Sequence, residues 1–270
     1  MYKVLVVSAL SQELNIIKSE IKKLSLRNIK VSFLSTGMGN YNMILNLTRF
    51  LEKNYFDLVI NIGVCGYKND FSINRQKANS LFIQIGRIFN LSNSKELIIP
   101  QIINFGNIES IACSEKPVFD SLELSDEDFV DMESYGFEMV CNSFSISRIL
   151  LKIPVDKVGS ETNNFDFKKA EESLRNNINY KELFFEIHKY IDEHLKTGKG
   201  KYKIHDDIFD TYSQSFNFTF SQKEIFKKLY YRYISLVNSD FSVFYEANKN
   251  MDKKKFLKKL EKGLEKYLVR

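Results

Sequence analysis

Five short segments carry residues whose types and spacing suit chemistry at a sugar or a heterocyclic base. Ser8–Glu13 (SALSQE) sets the carboxylate of Glu13 just past an apolar run. Ser35–Asn40 (STGMGN) is a glycine turn in which Gly37 and Gly39 let backbone N–H groups approach an anion or a sugar oxygen. Asn61–Gly66 (NIGVCG), with Gly63, is a second turn of the same kind. Val130–Glu133 (VDME) brackets Met132 with the carboxylates of Asp131 and Glu133, and paired acceptors suit the two vicinal hydroxyls of a ribose. Lys152–Asp156 (KIPVD) ends an apolar run in an aspartate. A carboxyl beside an apolar pocket can hold its proton and act as an acid near neutral pH. Each segment also has a plainer reading. Acids in a first helical turn complement the helix dipole, G-x-G is a common tight turn, and a strand-end aspartate often caps a turn.

These residues need elements to position them. Val4–Val7 is a valine-rich run that reads as a buried strand, and Ser11–Lys23 follows as a helix with Ser11 as its cap. Ile29–Ser35 is a second strand. Tyr41–Lys53 is a helix with Met43, Ile44, Leu47 and Leu51 on one face. Phe56–Ile62, Leu81–Ile85, Glu109–Ser114 and Arg148–Val155 read as further strands. Asp131–Phe144 reads as a helix and Phe167–Lys196 as one long helix. Strands alternating with helices predict an α/β fold, a mostly parallel sheet sandwiched by helices. Ligands of such sheets collect at strand ends, beside the glycine turns.

Lys196–Lys203 (KTGKGKYK) predicts a linker between a domain over 1–198 and a basic helical C-terminal extension over 199–270. In the extension, Gln222–Val237 and Asp252–Leu268 read as helices. Phe256, Leu260, Leu264 and Leu268 recur every fourth residue among lysines. From Ser221 to Arg270, thirteen Lys and Arg face six Asp and Glu. That +7 within a chain total of +5 leaves the remainder at −2. The lysines read as the solvated face of an amphipathic helix, with nucleic acid as the rival. The aromatics Phe209, Phe216, Phe218, Phe220, Phe226, Tyr230, Tyr231 and Phe244 read as a small core rather than a base-stacking platform.

Composition excludes several classes. Of 270 residues, 44% are hydrophobic and 27% charged, an ordinary globular balance. Cys65, Cys113 and Cys141 form no C-x-x-C pair, so neither a zinc nor a redox site is expected, and no metal or cofactor is assigned. No run approaches the roughly eighteen apolar residues of a membrane span. With no basic leader and cleavage site in view, a cytoplasmic protein with reduced thiols is expected. The three histidines, His188, His194 and His205, fall late, away from any early nucleophile, which argues against a Ser-His-Asp triad.

The order and spacing of the segments resemble the purine nucleoside phosphorylase and nucleosidase superfamily, most closely the methylthioadenosine/S-adenosylhomocysteine nucleosidases. The family opens with a strand, a small-residue turn and a glutamate, matched by Val4–Ser8, Ala9 and Glu13. Its S/T-G-x-G turn is matched by Thr36–Gly39, and its apolar-N-x-G-x-x-G turn by Ile60–Gly66. Its V-E-M-E helix start is matched by Val130–Glu133, with Asp131 replacing a glutamate, and its strand-end catalytic aspartate by Asp156. The resemblance spans residues 2–196.

It implies hydrolysis of an N-glycosidic bond in a small-molecule nucleoside, as part of purine metabolism. Asp156 would protonate the base and Glu13 would activate water. Glu133, with Met132 and Asp131, would hold the ribose. Backbone at Val118 and Phe119 would contact the base, with Phe119 stacking on it, and Gly37, Gly39 and Gly63 would border the sugar or water. No arginine lies near the turns to hold phosphate, so hydrolysis is favoured over phosphorolysis. A homodimer is a further implication. Three departures stand out: Val64 and Val155 replace serines usual in the family, and the stretch between Leu81 and Asp131 is short. The competing expectations are a catalytically impaired nucleoside-binding or scaffold protein of the same fold, and a phosphorylase.

Overall fold

The computed structural model describes residues 1–68, 82–124, 126–159, 161–162, 165–195, 209–236 and 240–265. The chain divides into two compact bodies. One holds Met1–Asn142 and Ile146–Asp192; the other holds Ser143–Ser145 and Glu193–Arg270. The linker expected at 196–203, Leu81, His205 and Leu268 lie outside the described residues.

The N-terminal body is built on eight strands: β1 (Tyr2–Ser8), β2 (Ile29–Ser35), β3 (Leu58–Tyr67), β4 (Ile83–Asn90), β5 (Lys95–Ile98), β6 (Asn107–Cys113), β7 (Phe129–Asp131) and β8 (Ser147–Lys157). Its helices are α1 (Ser11–Ile21), α2 (Asn40–Lys53), α3 (Ser134–Ser143), α4 (Phe167–Asn176) and α5 (Tyr180–Tyr190). Val4–Val7 are fully buried, as are Leu58, Val59, Ile60 and Ile62 of β3 and Leu150, Leu151 and Ile153 of β8. Such continuous apolar runs belong to strands covered on both faces.

The sheet is parallel in most of its pairings, as expected from sequence, but it is mixed and closed rather than uniformly parallel. β1 pairs in parallel with β2 and β3, β3 with β8, β4 with β6 and β6 with β7. Three pairings, β3–β7, β4–β5 and β4–β8, are antiparallel. The ladder runs β2-β1-β3-β7-β6-β4-β5, and β8 joins β3 to β4, closing a ring of five strands. Register shifts at Cys65/Gly66 and Ile85/Arg87 mark the bends, as bulges do where a sheet must curl on itself. Gly86 sits at the second bend, where a Cβ would come within 2.6 Å of Ile108 Cγ2.

Local chemistry explains two further differences. The single helix expected over Phe167–Lys196 is broken at Asn177–Asn179, where the Asn179 side chain accepts the Glu182 N–H and starts α5 afresh. Ser11 is the first residue of α1 rather than its cap; Glu13 reaches back to the Leu10 N–H instead.

The C-terminal body holds α6 (Phe220–Leu236), α7 (Phe241–Glu246), α8 (Lys253–Glu265) and a helical stretch over residues 209–215. Phe209, Phe226, Tyr230, Phe241, Phe256, Leu260 and Leu264 form its core. The aromatics therefore pack against one another, Phe209 stacking on Phe226 at 5.2 Å, and the stripe of α8 turns inward. Phe220, 82% exposed, stays outside.

Candidate active site

The C-terminal ends of β1, β3 and β8, the end of β7 and the start of α3 converge on one pocket of about 220 Å3. It is lined by Glu13, Met38, Cys65, Val118, Asp131, Met132, Glu133 and Asp156, among others. Residues that lie far apart in the sequence meet here because parallel strands deliver their ends to one edge.

Glu13 enters from α1 and is nearly inaccessible. Its Oε2 accepts the Ser8 hydroxyl at 2.6 Å and the Leu10 N–H at 3.3 Å, and its Oε1 accepts the Val64 N–H at 3.4 Å. Gly39 ends the first glycine turn at φ +91°, a left-handed conformation that favours glycine, and Gly37 does the same at +85°. That geometry aims the Gly39 N–H at Glu133 Oε1, 2.7 Å away. Neither Gly37 nor Gly39 lines the pocket; the turn contributes through this bond and through Met38.

Asp131 is committed internally. Its carboxylate accepts the Ser134 N–H and, at 2.6 Å, the Ser134 hydroxyl, and it meets Lys152 Nζ at 2.7 Å. Asp131 thus caps α3 and anchors a cation while bordering the pocket. Asn40 ties α2 to α3 by accepting the Gly136 N–H at 2.7 Å. A Cβ at Gly136 would stand 2.9 Å from the Asn40 carbonyl oxygen.

Lys152 is the member that sequence reasoning missed. It is only 2% exposed, on β8. A Cβ at Gly63 would lie 3.6 Å from Lys152 Nζ and 3.7 Å from Glu13 Oε2, so cation and carboxylate both border the space over that glycine. Burial alone would lower the lysine pKa, but Asp131, Glu133 and Glu13 reverse this and hold it above the ordinary value. Glu133 shows the opposite balance. Burial pushes its carboxyl up to about 7; Lys152 and the Gly39 N–H oppose the rise, while Asp131 and Glu13 add to it. Asp156, at the end of β8, is also raised by burial.

The base-contact segment is brought to the pocket only in part. Val118 lines it, but Phe119 is half-exposed and does not. Lys116, Pro117, Thr162 and Phe165 line it and were not anticipated. Thr162 donates to the Val118 carbonyl at 3.1 Å and accepts the Gly159 N–H at 3.0 Å, fastening this wall. Among the described residues no arginine lines the pocket, no cluster is arranged to hold a metal ion, and no helix is long and apolar enough to cross a membrane.

No protein-family model matches the chain, and no curated protein matches it in sequence. Solved structures do match in shape. The 5'-methylthioadenosine/S-adenosylhomocysteine nucleosidase of Helicobacter pylori, solved with butyl-thio-DADMe-Immucillin-A, superposes with a TM-score of 0.57 at 14% identity, over 72% of this chain and 99% of that one. The futalosine hydrolase of Helicobacter pylori gives 0.57 at 14% identity, over 71% and 98%. A Chlamydia trachomatis protein described as an MTAN gives 0.53 at 18% identity, over 68% and 98%. The chain has the fold of these nucleosidases.

Proposed function

We propose that the protein hydrolyses the N-glycosidic bond of a small purine nucleoside. The observation that carries this reading is the convergence of Glu13, Glu133 and Asp156 from three separate elements on one pocket. Asp156, whose burial favours its protonated form, gives its proton to the departing base. The glycosidic C–N bond breaks with its electron pair going to the base, and the sugar takes on oxocarbenium character. Water adds at the anomeric carbon and loses a proton to Glu13. Glu133 accepts from the ribose hydroxyls. Asp131 supports it indirectly, since both its oxygens serve Ser134 and Lys152.

Charge supports hydrolysis over phosphorolysis. Four carboxylates line the pocket against Lys116 and the buried Lys152. Lys152 is already engaged by Asp131, and a phosphate dianion would need more charge-assisted donors than remain. The pocket lies below the ~300 Å3 at which ligand clefts usually begin, which favours a compact nucleoside. A homo-oligomer in the cytoplasm fits this reading. On α2, the exposed Tyr41 and Leu45 offer apolar surface to a second copy.

The test is release of free base from methylthioadenosine, S-adenosylhomocysteine, adenosine and inosine, with and without phosphate, in wild type, Asp156→Asn and Glu13→Gln. Phosphate-independent release that collapses in both variants is expected. No release from a folded sample overturns the enzyme reading. It would favour a nucleoside-binding protein, to which the missing hydroxyls at Val64 and Val155 already lend weight.

A further inference from the structure

Asp156 borders two cavities. One is the pocket described above. The other is a second cavity of about 230 Å3 lined by Val155, Asp156, Glu161, Asp166 and Lys169. Val155 offers the acid no hydroxyl, and Asp166 is occupied as the cap of α4, accepting the Lys168 N–H at 2.9 Å. Glu161 shares this cavity with the acid. Its Oε2 accepts the N–H of Lys157, the residue after Asp156, at 3.0 Å, and meets Lys169 Nζ at 3.1 Å.

We propose that the Glu161–Lys169 ion pair is a positioning device that governs, from this second cavity, how firmly Asp156 holds its proton. Two opposite charges stand in the cavity that Asp156 also borders, fixed by a backbone bond on one side and by the first turn of α4 on the other. The Glu161 anion steadies the proton on Asp156, and the Lys169 cation loosens it. Other ionisable groups around the acid are Asp166 in the second cavity and, around the pocket, Glu13 from α1, Cys65 from β3, Asp131 from β7, Glu133 after it, Lys152 on β8 and Lys116. All of these but Asp166 and Lys152 line the nucleoside pocket, whereas the pair lines only the second cavity. It can therefore be altered without touching the surface that meets the nucleoside. The inference rests on the reading of Asp156 as the acid, and its chief readout does not require activity.

The experiment is a carbon-detected NMR titration of the Asp156 carboxyl, assigned with Asp156→Asn, in wild type, Lys169→Met, Glu161→Gln and Lys169→Arg. Lys169→Met should raise the midpoint and Glu161→Gln lower it, each by about half a pH unit at low salt. Lys169→Arg should restore the wild-type value. Both shifts should shrink in ~0.5 M salt, because the pair is nearly half-exposed. The basic limb of kcat/KM for base release should move with the midpoint. Shifts below about 0.1 unit, or of the same sign in the two variants, overturn the proposal. Opposite shifts in a chain that releases no base would leave it standing while the nucleosidase reading falls.

Discussion

The cores of the two bodies are made of different material. The C-terminal body packs Phe, Tyr and Leu around Phe226 and Phe256, with its lysines outside. The N-terminal body also has an apolar core, yet it buries Glu13, Asp131, Glu133 and Lys152 at the ends of its strands. A core of rings and leucines favours stability, because each side chain removed from water contributes and none carries a charge to be desolvated. Buried carboxylates around a lysine do the reverse. Among the described residues such groups are buried in one body and absent from the core of the other, which marks where stability is given up.

The largest expected effect sharpens that contrast. Asp156→Asn and Glu13→Gln should each lower base release by about 10²- to 10⁴-fold, measured as kcat/KM, while thermal unfolding stays near wild type. Next, Lys152→Met leaves Asp131 and its neighbours without their cation and should destabilise by ~3–5 kcal/mol in urea titration. Phe226→Ala should cost a similar ~3–5 kcal/mol through the void it leaves. It should spare base release wherever the protein is still folded; equal loss of activity per unit of stability in the two variants would erase the distinction between the cores.

A smaller effect carries a sign that ordinary core mutations lack. Glu133 titrates near 7 when folded, against an ordinary carboxyl value of 4.5. Its folded form binds the proton more tightly, so stability is greatest below the ordinary value and falls as pH rises through 4.5 to 7. Glu133→Gln should therefore stabilise the protein at pH 8, on the order of 2 kcal/mol, with little gain at pH 4. The same variant should weaken substrate binding at pH 8. Smallest of all, Lys254→Gln and Lys258→Gln on α8 should each shift unfolding by less than about 0.5 kcal/mol.

Much of the site was legible because strand ends and helix starts leave local marks. Glu13, Glu133 and Asp156 each follow an apolar run, and Gly39 sits where a turn must form. Lys152 left a fainter mark: a lysine inside RILLKIPV, a run too apolar for an edge strand, requires a buried partner, and Asp131 supplies it. Phe165 left none, since it precedes α4 in irregular chain with no periodicity to read. β7, three residues long, is too short to register as a pattern, and the antiparallel β4–β8 pairing that closes the ring is a long-range choice that local sequence does not encode.

That ring has a consequence for how copies of the chain behave at high concentration. Each of its five strands pairs with at least two others, so none is an edge strand. Among the described residues β2 and β5 end the ladder, and β5 is four residues long and carries Lys95 and Glu96, both exposed. A short, charged strand such as β5 is a poor template for an incoming strand, so the longer β2 is the edge at which strand addition would begin.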